Sequence, residues 1–565
     1  MALQVEWGRR AVAIALAGAA ATALVWSLAA ALFAALDARA WADMAAQPQL
    51  VAAMRISVFT GVCAFALALA GMSAVLAATY GSSHWLRLLR SLPFQLALPH
   101  AAFAIGLVLL VAPSGWFVRL GAALLSPINH WLGLTLDTPP AWQSSQDPWG
   151  LGLIAVLAFK EMPFLLWAAA AQLSRPDLDR RLRMEMQVAQ SLGYSPRTAW
   201  WRVVWPQLLP RLQAPLLAVL VYSMTVVDVA LVAGPTAPPS FAVLVWQWLQ
   251  DPDPARNAMG AAGAWLLTGL VALVALAFMA LHALRRRRGR ARWTRGIAGT
   301  AMADPKRGDR HGPVLPWLLT MVYTTVAAAL VFGSAMGPWL FPALWPQGWT
   351  GQAWQVVLQS TSVVWTTLAL ASASSAAALL WCVAWLECAP LAWQARMQTL
   401  WYLPLLLPAV LWTLGLHQLT LVWGLDGSAT GLWLAHTLCV LPYVLLTLQG
   451  PYGDFDPRLQ TVAASLGRSH MTYLWRIKWP LLRAPLASSL AVGFAVSVAQ
   501  YLPTLYVGAG RFATVSTEAV ALASGGQRSL MAAFALLLWA LPALVFGMAA
   551  VAARPRKFSP RHALQ

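Results

Sequence analysis

VAQSLGYSPRTAWWRVVWP (188–206) and VAASLGRSHMTYLWRIKWP (462–480) are two copies of one stretch, and they decide how the chain is built. The match runs on without a gap, laying 188–234 on 462–508 at a constant offset of 274, with seventeen of 47 positions identical. Shared leucines could arise from apolar bias alone. Gly193, Trp201, Arg202, Trp205 and Pro206 returning as Gly467, Trp475, Arg476, Trp479 and Pro480 could not. The sequence is an internal duplication. A weaker echo precedes each copy: Pro99 is followed seven residues on by Gly106, and Pro408 by Gly415. In apolar helices such residues mark kinks or close packing.

The copies sit in a chain of 565 residues, 60% hydrophobic and 10% charged, with a mean hydropathy of +0.64. Soluble domains carry about 25% charged residues, so a string of globular domains is excluded and a polytopic membrane protein is indicated. About 20 apolar residues cross a bilayer core of about 30 Å as a helix. Twelve stretches qualify: 11–36, 57–80, 93–112, 150–172, 214–234, 257–284, 316–341, 362–386, 400–424, 429–449, 487–509 and 529–552. The first is too long for the apolar core of a signal peptide and is read as a retained helix. The expected fold is all-α, with two homologous six-helix halves, 1–284 and 314–565, joined by the basic linker 285–313.

Thirty-eight Lys and Arg against 19 Asp and Glu give a net charge of +19. Nucleic-acid binding would need those charges on one face, whereas here they fall between apolar stretches. With the N-terminus inside, 31 basic residues lie on the inner side, six outside, and Lys160 within a span. That asymmetry predicts both termini in the cytoplasm. The linker reads as a stop-transfer cluster facing membrane lipid rather than as a nucleic-acid site. The outer loop 113–149 is expected to rest Trp116, Trp131, Trp142 and Trp149 at the water boundary. Cys63, Cys382, Cys388 and Cys439 have neither disulfide nor zinc spacing and read as small buried residues.

The strongest part of the repeat falls in inner-side loops, 175–212 and 454–486. Each reads V-A-x-S-L-G, nine residues, an aliphatic residue, any residue, Trp and Pro. Small residues before a glycine suit a short helix that packs closely and turns sharply, where a side chain in place of the glycine would fill needed space. The proline suits the first turn of the next helix. Such an element does nothing for the membrane domain by itself and reads as a docking device.

This arrangement resembles the coupling loop of binding-protein-dependent ABC importer permeases, E-A-A, three residues, G, nine residues, I-x-L-P. The first copy supplies Gln187, Val188, Ala189, Gly193, Val203, Trp205 and Pro206. The second supplies Thr461, Val462, Ala463, Gly467, Ile477, Trp479 and Pro480. Gln and Thr replace the Glu, which puts any salt bridge from that residue in doubt. The resemblance spans nearly the whole chain, and fused pairs of this kind are found among thiamine and ferric-iron importers. It implies a type I importer fold in the inner membrane, two cytoplasmic ATPase subunits, an external substrate-binding protein, and thiamine-like or ferric-iron cargo.

ATP would be used by the partner subunits, with no cofactor bound by this chain. A phosphate loop needs Gly-Lys, and Lys160, Lys306, Lys478 and Lys557 follow Phe, Pro, Ile and Arg. No HExxH or triad-like arrangement accompanies them, so the chain is expected not to be an enzyme. Lys160 and Glu161 in the fourth span and Asp228 in the fifth each cost about 3 kcal/mol to insert, which makes them candidates for the translocation path. Neighbours on a helix point about 100° apart, so Lys160 and Glu161 need other partners. A structural pair, or a helix end nearer the interface, is the plainer reading for those two. For Asp228 the plainer reading is a cap on a helix broken before Gly234 and Pro235. An ion-coupled secondary transporter is the alternative class. It would place its strongest repeat in the membrane, with several buried acids.

Overall fold

Backbone groups in lipid must find partners within their own segment, which leaves the helix as the way for these stretches to cross. The computed structural model describes residues 2–82, 84–132, 138–141, 146–294, 314–523 and 525–554; Trp142 and linker residues 295–313 lie outside the described residues. Among the described residues every regular element is helical and none is a strand. Among the described residues ten helices are long and apolar enough to span a membrane, or up to twelve if each of two bent pairs is one span.

Those two pairs modify the expectation of uninterrupted spans. Leu391–Leu405 and Ala409–Val422 meet at 103°, and His470–Leu481 and Arg483–Val498 at 75°. Proline accounts for the first bend, since Pro408 caps the second segment and has no N–H to continue the ladder. The stretch 113–149 is not simply a loop either. It carries the helix Trp116–Leu132, and Trp116 packs on Trp339 and Trp345 at 4.6 and 5.2 Å between ring centroids. Nearby, Arg119 is fully buried and donates to the carbonyls of Leu340 and Ala343, both at 2.7 Å. Trp149 is exposed.

The halves of the sequence are not separate in space. The first helix, Ala2–Phe33, packs on Ala409–Val422 and Thr361–Cys388, and its Ala13, Ala20, Ala23 and Leu24 join the apolar core of the second half. Reciprocally, Val314–Ser334 packs on His100–Val111, and the Tyr323 hydroxyl donates to the Phe159 carbonyl at 3.1 Å. The repeated glycines make both crossings. A Cβ on Gly415 would overlap the Ser27 carbonyl oxygen, and one on Gly106 would come within 2.7 Å of Val326 Cγ1. We therefore expect Gly415→Ala to lower the unfolding temperature of the detergent-purified chain, because backbone blocks the added methyl. Gly450→Ala, where nothing lies within 4 Å, should leave it unchanged.

The fifth span of each half is interrupted at one place. Gln213–Thr225 stops before Asp228–Ala233, and Arg483–Val498 stops before Leu502–Val507. At the repeat offset of 274 the two breaks coincide, and both lie on a central cavity between the halves.

Candidate functional site

The duplicated stretch folds twice into the same element. In the first copy the helix Pro176–Ser191 closes with Gly193 at φ +89°; the Gly193 N–H donates to the Gln190 carbonyl and the Tyr194 N–H to the Ala189 carbonyl. In the second, Arg458–Ser465 closes with Gly467 at φ +68°, and Gly467 and Arg468 donate to the carbonyls of Ala464 and Ala463. These are paired 6→1 and 5→2 closures around a left-handed residue, a conformation that favours glycine. The next short helix is capped by Ser195 in one copy and Ser469 in the other, each accepting from the N–H three residues on at 3.2 Å. A turn with i→i+5 bonding follows, Trp200–Val204 and Leu474–Lys478, just before Pro206 and Pro480. The missing proline N–H favours that wider turn.

Burial matches position by position. Gln187 and Thr461 are exposed, Ala189 and Ala463 are buried, and Gly193, Gly467, Pro206 and Pro480 are exposed. Four apolar side chains face outward: Val188 is 59% exposed, Leu192 73%, Val462 54% and Leu466 71%. The two copies thus present equivalent surfaces with the same pair of bare aliphatic residues. At both glycines a Cβ would meet nothing within 4 Å. The expectation of a crowded glycine is thus corrected: the backbone angle requires it.

No motif carboxylate remains, yet each element is tied down by an acid outside the motif. Glu185 accepts from Gln207 at 2.6 Å, joining the helix to the segment after Pro206. The hydrogen bond from Arg181 holds its carboxyl below the usual carboxylate range. In the second copy the acid is Glu387, at the end of Thr361–Cys388. It accepts from Lys478 and the Tyr452 hydroxyl at 2.7 Å and from Arg9 at 2.8 Å, and it pairs with His470 at 3.1 Å. One carboxylate thereby joins the first helix, a span of the second half and the second loop element.

The central cavity has a volume of about 350 Å³, within the range of small-molecule sites. Lys160 and Asp228 line it, and Glu161 stands one residue behind the lining. As expected, Lys160 and Glu161 do not pair with each other: Lys160 Nζ donates to the Gln95 carbonyl at 3.0 Å, and Glu161 meets His100 Nε2 at 2.8 Å. Asp228 is the first residue of the helix Asp228–Ala233, whose N-cap position is Val227, and it also lines the cavity. His100 packs on Tyr222 with ring centroids 4.8 Å apart.

YnjC, an inner membrane ABC transporter permease protein of Escherichia coli, is 34% identical over 546 residues, covering 94% of this chain and 96% of YnjC. The chain belongs to the ABC transporter permeases. The spermidine/putrescine transport system permease PotC of Haemophilus influenzae is 28% identical over 106 residues, 19% of this chain and 41% of PotC. No protein-family profile matches the chain. The permease is thus a multi-pass inner-membrane transport protein, and the secondary-transporter alternative is not favoured.

Sequence reasoning did not find His100, Tyr222, Glu185 or Glu387. His100 follows Pro99 of the echo, and Tyr222 lies inside the duplicated stretch, so alignment of the halves was a signal for both. Glu387 sits one residue beyond an apolar stretch, with nothing local to mark it.

Proposed function

We propose that this permease forms the substrate path of an ATP-driven import system and takes its power stroke from separate ATPase subunits at the two loop elements. The supporting observation is the duplicated element itself: Val188 with Leu192, and Val462 with Leu466, bare to solvent in one geometry repeated twice. Two such surfaces call for two ATPase subunits. A substrate-binding protein would deliver cargo at the opposite face, and both termini would be cytoplasmic by the distribution of basic residues. Gln187, Val188, Ala189, Gly193 and Pro206, with Thr461, Val462, Ala463, Gly467 and Pro480, form the coupling elements. Lys160, Glu161 and Asp228 belong to the path. The breaks in the fifth spans, beside the cavity, are where alternating access would open and close. The thiamine and ferric-iron importers that the sequence resembles suggest the cargo, and PotC is named for transport of organic cations.

The test is reconstitution in proteoliposomes with and without the ATPase subunits and binding protein, following uptake of labelled thiamine and ferric iron. Uptake should require ATP and both partners; uptake by the chain alone under a proton or sodium gradient would overturn the proposal. Topology is checked separately. A cysteine replacing Ser145, which lies outside the described residues, should be modified by an impermeant maleimide from the periplasm. Labelling only from the cytoplasm would reverse the orientation.

A further inference from the structure

Equivalent positions of the two halves differ in chemistry on the cavity wall, although the second half also contributes Thr413 and Tyr443 to it. The repeat offset pairs Tyr222 with Val496, Thr225 with Ala499 and Asp228 with Leu502. Pro163 and Pro442, inside equivalent helices, pair Lys160 with Cys439, and the Pro99 and Pro408 echo pairs His100 with Ala409. All ten residues line the cavity. Five polar or charged positions in the first half therefore correspond to five apolar ones in the second, a cysteine thiol behaving as a small hydrophobe. Two pairs run the other way, Val226 with Gln500 and Val227 with Tyr501, and set an amide and a phenol beside the second helix break.

The charges on the polar side are not equally free. Lys160 is held by the Gln95 carbonyl, and Glu161 by His100. Asp228 makes no ion pair or side-chain hydrogen bond among the described residues; backbone N–H groups at the start of its own helix meet its carboxyl. It shares the cavity wall with His100, Tyr222 and Tyr501. A half-buried carboxylate on a cavity wall that also carries Tyr222 and Tyr501 is suited to a cation, which gains from both the charge and the ring faces.

We propose that this cavity takes an organic cation with an apolar body, its charge at Asp228 and its body against Cys439, Val496 and Leu502, with Tyr222 and Tyr501 on the same wall. The proposal rests on the permease reading and narrows its cargo. A bare metal ion would leave the apolar wall unused. An organic anion would meet the free carboxylate with like charge.

The permease assembled with its ATPase subunits in nanodiscs is dialysed to equilibrium against radiolabelled thiamine, choline, spermidine, benzoate and ferric citrate. ATP hydrolysis is read in the same preparation. At least one of the three cations should be retained, and Asp228→Asn should weaken that retention at least about tenfold, the cost of losing one charge-assisted contact. Asp228→Leu, which copies the second half, should abolish it. Retention of benzoate or ferric citrate in place of the cations overturns the proposal, as does retention of none of the five. Cation retention that Asp228→Asn leaves unchanged overturns it too. These results leave the permease reading intact so long as the assembled complex hydrolyses ATP. Failure of the wild-type chain to assemble with an ATPase strikes that reading instead. The wild-type measurement needs no variant to fold.

Discussion

A permease carrying Gly193→Val and Gly467→Val together is expected to reach the membrane in normal amounts and to import nothing. The glycines adopt φ of +89° and +68°, where a β-branched residue is strained by about 1–3 kcal/mol. The strain is relieved by abandoning the left-handed turn, which releases the 6→1 and 5→2 bonds that hold Ala189 and Ala463 in place. Leu192 and Leu466, each beside its glycine, then lose their common geometry. No neighbour blocks the added side chain, so the membrane core is spared. Co-purification of the ATPase subunits should fall at least about tenfold if each surface loses more than about 1.4 kcal/mol. Gly193→Asn with Gly467→Asn should retain most of it, because asparagine tolerates this conformation. Normal uptake by the valine pair would remove the docking role from these elements.

Glu387→Gln is expected to cost nearly as much by another route. The Glu387 side chain is 11% exposed and Lys478 13%, so this pair is held largely out of water. Removing one partner of a buried pair costs about 3–5 kcal/mol, because the charge left behind is uncompensated. Here Lys478 would be stranded, whereas Arg9, 32% exposed, keeps contact with water. The glutamine keeps an acceptor for the Tyr452 hydroxyl, which isolates the effect of the charge. The unfolding temperature in detergent should drop and ATP-driven uptake should fall at least about tenfold, with part of the ATP hydrolysis persisting uncoupled. Unchanged uptake and an unchanged unfolding temperature would reduce the cluster to a surface feature.

The sequence disclosed those parts of the molecule that depend on local chemistry. Helices in lipid need only an apolar run, so the spans could be counted from composition. The loop elements could be read because the closure at Gly193 and Gly467 depends on neighbours within six residues. The 103° bend stayed hidden because Pro408 looks like many other membrane prolines until the chain is folded. The cavity was legible by half. Lys160, Glu161 and Asp228 stand out as charges in apolar runs, whereas His100 and Tyr222 gain meaning only from what they face. Glu387 was out of reach. Its partners Arg9 and Lys478 lie 378 and 91 residues away, and no spacing rule extends so far.

The exchange of first helices between the halves sets a timetable for biogenesis. Ala2–Phe33 leaves the ribosome first, but its packing surface on Ala409–Val422 begins 376 residues after Phe33 (409 − 33). At about 5–20 residues per second the helix waits roughly 20–75 s in the bilayer before that surface exists. During that interval Ala13, Ala20, Ala23 and Leu24 face lipid or a membrane chaperone. Two halves made as separate polypeptides would face no such order of arrival, so fusing them fixes which first helix waits and which finds its groove already built.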